Sequence, residues 1–312
     1  MTSHHLTPVH QRGDRAFKFV VTAAGYGVLI ALVAVAAFLV LRALPALTSA
    51  QSSIGRGADE GTGEGFISYV LPLIFGTVWA SIIALCIAVP IAVGVALFIT
   101  QYAPRRVSSA LAFAVDLLAA IPSVVYGLWG IFVLAPALAG NVYPWLSSNL
   151  SFIPLFSGTP STSGRTMFTA AVVLAVMVLP VIAAISREVF QRTPRLHTEA
   201  ALALGATRWE MIRMTVLPYG RSGVISASML GLGRALGETM AVALILSPAN
   251  LISFQVLTNQ NPNTIAANIA LQFPESTGLE VNTLIATGLV LFAATFIVNA
   301  LARRIAGGEV ND

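Results

Sequence analysis

Long apolar runs, separated by short polar or charged segments, dominate this chain. A helix needs about 20 mostly apolar residues to cross a bilayer. Six stretches meet that need: residues 16–41, 70–101, 107–138, 167–190, 222–246 and 283–301. The first is far longer than the ~7–15-residue apolar core of a secretion signal, so a retained helix is expected. Pro90 predicts a kink in the second. The third is too long for one straight crossing at ~1.5 Å per residue, and Pro122 predicts where it breaks. The pattern therefore predicts an all-α integral membrane protein with six transmembrane helices. Its membrane domain covers residues 16–304, flanked by tails at 1–15 and 305–312.

Composition agrees. Of 312 residues, 56% are hydrophobic and 10% are charged, and the mean hydropathy is +0.83. An average soluble domain is about 25% charged, so a soluble enzyme with a large core is excluded. The net charge of +4 is too small to indicate nucleic-acid binding. The single cysteine, Cys86, lies in an apolar run, which leaves no disulfide framework and no cysteine metal cluster. His4, His5, His10 and His197 form no ligand set. The one lysine, Lys18, follows no glycine-rich loop, so ATP hydrolysis through a phosphate loop is excluded.

Where the charges sit says more than their sum. With the N-terminus inside, the inner segments collect Arg12, Arg15, Lys18, Arg105, Arg106, Arg187, Arg192, Arg195, Arg208, Arg213, Arg221, Arg303 and Arg304. The outer segments keep Arg42, Arg56 and Arg165, beside Asp59, Glu60, Glu64, Glu275 and Glu280. The positive-inside rule then places both termini in the cytoplasm. The outer segments, residues 48–65, 140–165 and 248–282, are rich in Ser, Gly, Asn and Pro and read as solvated connectors.

The inner segment 193–221 differs from the other loops. Pro194 is placed to start a helix, and residues 200–204 favour one. Gly205 interrupts, a second amphipathic turn from Thr207 presents Trp209, Ile212 and Arg213, and Pro218 closes the element. A rigid knob and an amphipathic helix on the membrane surface both fit this periodicity. The spacing Glu199-Ala200-Ala201, three residues, Gly205, then Val216-Leu217-Pro218 resembles the EAA loop of ABC importer permeases. Thr215 stands where that family usually has isoleucine. The resemblance implies a coupling element that docks on a cytoplasmic ATPase subunit. Glu199, Ala200, Ala201 and Gly205 would carry the contact, with Arg208 and Trp209 as flanks. Gly205 would allow close backbone approach, and Glu199 would pair with a basic group of the partner.

The fifth apolar stretch contains charges. Arg234 falls near its middle, where a lone charge costs roughly 2.5–3.5 kcal/mol. Glu238 lies four residues on, one helical turn away on the same face, so the two can pair. Gly233 and Gly237 make a GxxxG step suited to close helix packing. The residues alone leave two readings open, a structural ion pair between helices or a gate for a crossing anion.

Two longer motifs bear on that choice. Gly233-Arg234-Ala235-Leu236-Gly237-Glu238-Thr239-Met240-Ala241 resembles the fifth-span signature of phosphate-specific ABC permeases. The stretch from Asp116 through Pro122, Ser123, Tyr126 and Gly127 to Gly130 is similar to another part of that family, and to its PstC-type subunit in particular. The resemblance implies a type I importer permease of the MetI-like fold. It makes Arg234 and Glu238 residues of the phosphate pathway. Ser123 and Tyr126 are secondary candidates there, Pro122 being a helix break, and Asp116 reads as structural. It further implies four partners: a second, PstA-type permease, a PstB-type ATPase dimer, an external PstS-type phosphate-binding protein, and inorganic phosphate itself. ATP and Mg would be bound at the ATPase subunits, this chain holding no cofactor of its own and doing no bond chemistry. The alternatives are a permease for another oxyanion, such as sulfate or molybdate, and an ion-coupled secondary transporter.

Overall fold

The computed structural model describes residues 12–48 and 65–307. Residues 1–11, 49–64 and 308–312, which hold His4, His5, His10, Arg56, Asp59, Glu60 and Glu64, lie outside the described residues. Helix α1 covers Arg12–Thr48 and α2 covers Phe66–Leu97, the latter continuing as a π-type turn through Phe98–Tyr102. Helix α3 is Arg105–Ala119. After a break, α4 (Ser123–Trp129), α5 (Ala135–Ala137) and α6 (Tyr143–Asn149) follow one another through π-type turns. Then come α7 (Met167–Gln191), α8 (Arg195–Ala203), α9 (Arg208–Met211) and α10 (Leu217–Leu236). The last are α11 (Met240–Ile245), α12 (Ile265–Gln272) and α13 (Leu279–Gly307). Between α11 and α12, β1 (Pro248–Ala249) pairs in parallel with β2 (Asn261–Pro262).

Among the described residues, five stretches are long and apolar enough to cross a membrane: Gly13–Leu47, Phe66–Tyr102, Ser123–Asn149, Met167–Gln191 and Leu279–Ala300. The expected span at 222–246 is two helices, α10 and α11, because the chain leaves helical geometry at residues 237–239. The expected span at 107–138 does break at Pro122, but the crossing helix is the part after the break. Its 15-residue first part, α3, is only about 22 Å long. Residues 143–149, expected in an outer loop, therefore extend that helix. Pro90 lies inside α2 and does not end it.

Helix α7 is the centre of the molecule, packed by α2 on one side and α10 on another. The α2 contact is a stripe of alanines four residues apart, Ala80, Ala84, Ala88, Ala92 and Ala96, each at most 1% exposed. Lipid tails are as apolar as side chains, so small residues that let backbones approach favour association more than bulky ones do. Helix α10 contributes Gly220, Gly223 and Gly231, where an added Cβ would come within 2.5–2.7 Å of Phe190, Val189 and Ile182 side chains. Helix α1 leans on α13 through Ala43, Ala46 and Ala286, and is otherwise largely exposed along its length.

The outer segment after α11 is not a solvated connector. Val256, Leu257, Asn261, Asn263, Thr264 and Asn268 are all buried. Thr77 Oγ accepts from the Ile265 amide at 3.0 Å and donates to the Leu73 carbonyl. Asn268 donates to the Tyr69 hydroxyl, which donates to Gln272. Gly76 is required there, since a Cβ would lie 2.2 Å from the Asn263 carbonyl oxygen. Thr77 thus satisfies the first amide of α12, and the side chains of Asn261 and Asn263 serve the irregular backbone before it at Thr258 and Thr264, inside protein.

Candidate functional site

Two broken helices lie side by side. The first break follows α3, whose last amides close tight turns as Ala120 and Ile121 bond back to Leu117 and Leu118. Pro122, at φ −59° and ψ 140°, then restarts the helix as the residue before Ser123. A proline costs nothing there, because the first helical amides have no intrahelical acceptor. The Tyr126 hydroxyl donates to the Leu118 carbonyl at 2.8 Å and so satisfies one group freed by the break. The second break follows α10. Gly237 and Glu238 amides bond to Gly233 and Ala235, Thr239 leaves the helix, and α11 starts afresh. Helix α11 packs directly on α4: a Cβ on Gly127 would lie 2.9 Å from the Ala241 Cα.

This geometry corrects the expected Arg234–Glu238 pair. The helix ends between the two residues, so the one-turn relation is lost, and no ion pair joins them among the described residues. Glu238, 8% exposed, instead accepts from the Ala241 amide at 3.0 Å. A carboxylate at the first turn of a helix satisfies an orphan amide and faces the positive end of the helix dipole. Arg234 is half-buried and interacts electrostatically with Tyr126. Ser123 is half-buried at the start of α4, its hydroxyl without a hydrogen-bond partner among the described residues.

The expected packing role of Gly233 and Gly237 is also corrected within this chain. A Cβ on Gly233 would meet nothing within 4 Å, and one on Gly237 only the Gly233 carbonyl oxygen of its own helix. Both glycines therefore lie open at the end of α10, with the half-buried Arg234 between them, and Pro122 is exposed. The close approaches are made elsewhere, at Gly127, Gly130, Gly220 and Gly231. The alanine stripe of α2, visible in the sequence at a four-residue spacing, was the better packing signal.

Asp116 and Arg187 join α3 to α7, the Arg187 Nη2 lying 3.2 Å from both carboxylate oxygens. Arg165 was expected only as one of few outer positive charges. Its Nη2 donates to the Leu246 carbonyl at 3.2 Å and its Nε to the Ile245 carbonyl at 3.5 Å, at the far end of α11 from Glu238. No local sequence signal could have shown this, because the partners are 80 and 81 residues away.

The inner knob is built as its residues suggest. Helix α8 starts after Pro194 and ends in a Schellman turn, with the Gly205 amide bonded to Leu202 and the Ala206 amide to Ala201. Gly205 sits at φ +86°, and a Cβ there would meet nothing within 4 Å of this chain, so within the chain it is the backbone conformation that favours glycine. Thr207 and Glu210 form a capping box on α9. Two hydrogen bonds from Thr207, through its amide and its hydroxyl, hold the Glu210 carboxyl below the usual glutamate range. The inner face, Met211, Ile212 and Val216, packs with Ala96, Leu97 and Phe190, and Ala201 leans against it. The outer face presents Glu199, Ala200, Arg208 and Trp209, all exposed, together with Leu196 and Leu204 at 80% and 90% exposure. An apolar surface ringed by polar groups marks a contact site.

Residues of the segments 154–162 and 251–260 wall a cleft of about 930 Å³ that is lined by no charged side chain. Phe254 anchors it by edge contacts to Phe75 and Trp79 of α2.

Comparison with known proteins completes the picture. Residues 88–307 match the family described as binding-protein-dependent transport system inner membrane component. The chain is 50% identical over 306 residues to the phosphate transport system permease protein PstC 2 of Mycobacterium tuberculosis, covering 96% of this chain and 94% of that one. It is 42% identical over 296 residues to PstC of Xylella fastidiosa, covering 94% and 90%. Among solved structures it resembles a chain of a bacterial ABC transporter that imports the acidic polysaccharide alginate, at TM-score 0.59 and 16% identity, over 95% of this chain and 100% of that one. It also resembles a chain of the inward-facing methionine transporter MetNI, at TM-score 0.50 and 16% identity, over 78% and 95%. Those structures speak to the fold, which is that of an ABC importer permease. The sequence relatives speak to descent: the chain belongs to the PstC permeases, a branch of the binding-protein-dependent inner-membrane transport components.

Proposed function

We propose that this chain is one permease subunit of an ATP-driven importer and passes inorganic phosphate toward the cytoplasm along the face that carries Arg234. The observation behind this reading is a half-buried guanidinium on α10 with no carboxylate partner among the described residues. An uncompensated cation at such depth is costly, and an oxyanion offsets that cost with charge-assisted, often bidentate hydrogen bonds. Glu238, committed to the α11 amide, leaves the guanidinium available and limits how tightly an anion rests there. Conduction needs binding strong enough to enter and weak enough to leave. Ser123 offers a further hydroxyl, whereas the Tyr126 hydroxyl is already donated and serves the anion less directly. The choice of phosphate rests on the relatives, which carry phosphate transport in their names.

The remaining parts of the transporter belong to the same reading. ATP and Mg belong to a pair of cytoplasmic ATPase subunits that dock on the exposed face of α8 and α9. A homologous second permease closes the open side at Gly233 and Gly237, and an external binding protein delivers phosphate. Both chain termini lie in the cytoplasm.

Radiolabelled oxyanion uptake at limiting concentration tests the reading, in cells lacking the chain and in cells complemented with wild type, Arg234→Gln or Arg234→Lys. Wild type should restore phosphate uptake and Arg234→Gln should not, with Arg234→Lys between them. Dependence of sulfate or molybdate uptake on the chain, without dependence of phosphate uptake, would keep the architecture and overturn the substrate. Uptake that persists in ATP-depleted vesicles under a proton gradient would overturn the energy source.

A further inference from the structure

Helix α11 has six residues, about 9 Å, too short to hold itself together. Its stability depends on what satisfies its ends. At the inner end the Glu238 carboxylate takes the Ala241 amide. At the outer end the Arg165 guanidinium takes the Ile245 and Leu246 carbonyls. Each charge has the sign that the nearby helix end favours.

Arg165 itself has little freedom. Gly164 before it adopts φ +69°, wedged so that a Cβ would lie 2.1 Å from the Ala135 carbonyl oxygen. Thr166 after it caps α7 and bonds to the Tyr143 hydroxyl at 2.7 Å. The Thr169 hydroxyl donates to the Gly164 carbonyl. Immediately upstream, residues 157–160 and Thr162 wall the external cleft, and the buried Ser161 amide between them bonds to the Leu257 carbonyl of the opposite segment. A load on the cleft wall thus reaches Arg165 within a few residues of stiff chain, and Arg165 delivers it to α11. Helix α11 lies against the glycines of the other broken helix, Gly127 and Gly130, which leave it no side-chain cushion.

From this we propose that Arg165 is a positioning residue that couples the external cleft to the α10–α11 break, so that an event on the outer face resets Glu238 beside Arg234. The proposal rests on the reading of Arg234 and Glu238 as pathway residues. It assigns Arg165 no contact with phosphate. Its action is a coupling free energy between the cleft and the break, two sites joined through one short element.

The test uses the assembled transporter in proteoliposomes, with ATPase and uptake measured with and without phosphate-loaded binding protein. Arg165→Gln should lower the stimulated rate roughly tenfold while basal ATPase and the half-saturating binding-protein concentration stay within about twofold. Arg165→Lys, which keeps the charge and can still reach a carbonyl, should recover most of the loss. A second readout follows thiol labelling at Met240→Cys, the exposed first residue of α11, in a Cys86→Ser background. Binding protein should change the labelling rate with Arg165 present, and not with Arg165→Gln. Stimulation unaltered by Arg165→Gln would overturn the proposal, and so would an equal fall in basal and stimulated rates with a lowered melting temperature, the mark of a cap needed only for folding. Arg234→Gln is run in parallel. If it leaves uptake intact, the pathway reading fails, whatever Arg165 does.

Discussion

Gly205 holds φ +86° with open space where a side chain would go, so a substitution there costs backbone strain and nothing else within this chain. Gly205→Ala should cost about 1–2 kcal/mol, because a Cβ in the left-handed region crowds its own carbonyl. Gly205→Asn should cost less, as asparagine tolerates that region. Phosphate uptake and thermal melting of the two variants check this, and equal damage would point to a steric contact with a partner instead. Two residues on, the Thr207 box makes a pH prediction. The Glu210 carboxyl is held below its ordinary value by Thr207, so the box is fully formed above the ordinary glutamate range. It is lost as the pH falls through the lowered value. A carbon-13 titration of the Glu210 carboxyl should move up toward the ordinary range in Thr207→Ala. Identical curves in the two proteins would refute a share for the Thr207 hydroxyl and leave the lowering to the Thr207 amide.

Helices in this protein meet through glycine and alanine, and the structure separates those that are filled from those that are open. Gly127 faces the Ala241 backbone, which cannot rotate away as a side chain would. Gly127→Ala should therefore push α4 from α11 and cost about 1–3 kcal/mol, the usual range for overpacking. Gly233→Ala should leave melting of the detergent-solubilised chain unchanged or raised, since nothing lies within 4 Å and alanine favours helix. A fall in melting for Gly233→Ala alone would show a contact that α10 does not make here. The breaks are legible in part. Pro122 announces the first, because a ring without an amide cannot continue a helix. The second has no proline. Gly237 weakens the helix there, yet the apolar run from 222 to 246 reads as unbroken. Glu238 takes an amide of the restarted helix α11, and Arg165, from a distant loop, takes the carbonyls at its far end.

For the whole molecule, the charge distribution predicts an orientation that labelling can check. In a Cys86→Ser background, Thr159→Cys should react with a membrane-impermeant thiol reagent in intact cells. Leu204→Cys, exposed on the knob, should react only after the membrane is opened. The reverse pattern would invert the protein. Much of this architecture could be read from the chain alone. Helical class and membrane residence follow from the length and apolar content of the runs, because each helix satisfies its own backbone and partitions by its own side chains. The start of α8, the interruption at Gly205 and the second turn from Thr207 were likewise legible, since those groups bond within a few residues of one another. Motif resemblance carried the family, as nearly full-length relatives then showed. Tertiary structure alone decided which small residues pack, which carboxylate leaves which arginine unpaired, and whether an outer loop is solvated or buried. Thr77 with Ile265 and Arg165 with Leu246 are joined across 188 and 81 residues. Such pairs form only after the helices have docked, and no local pattern encodes them.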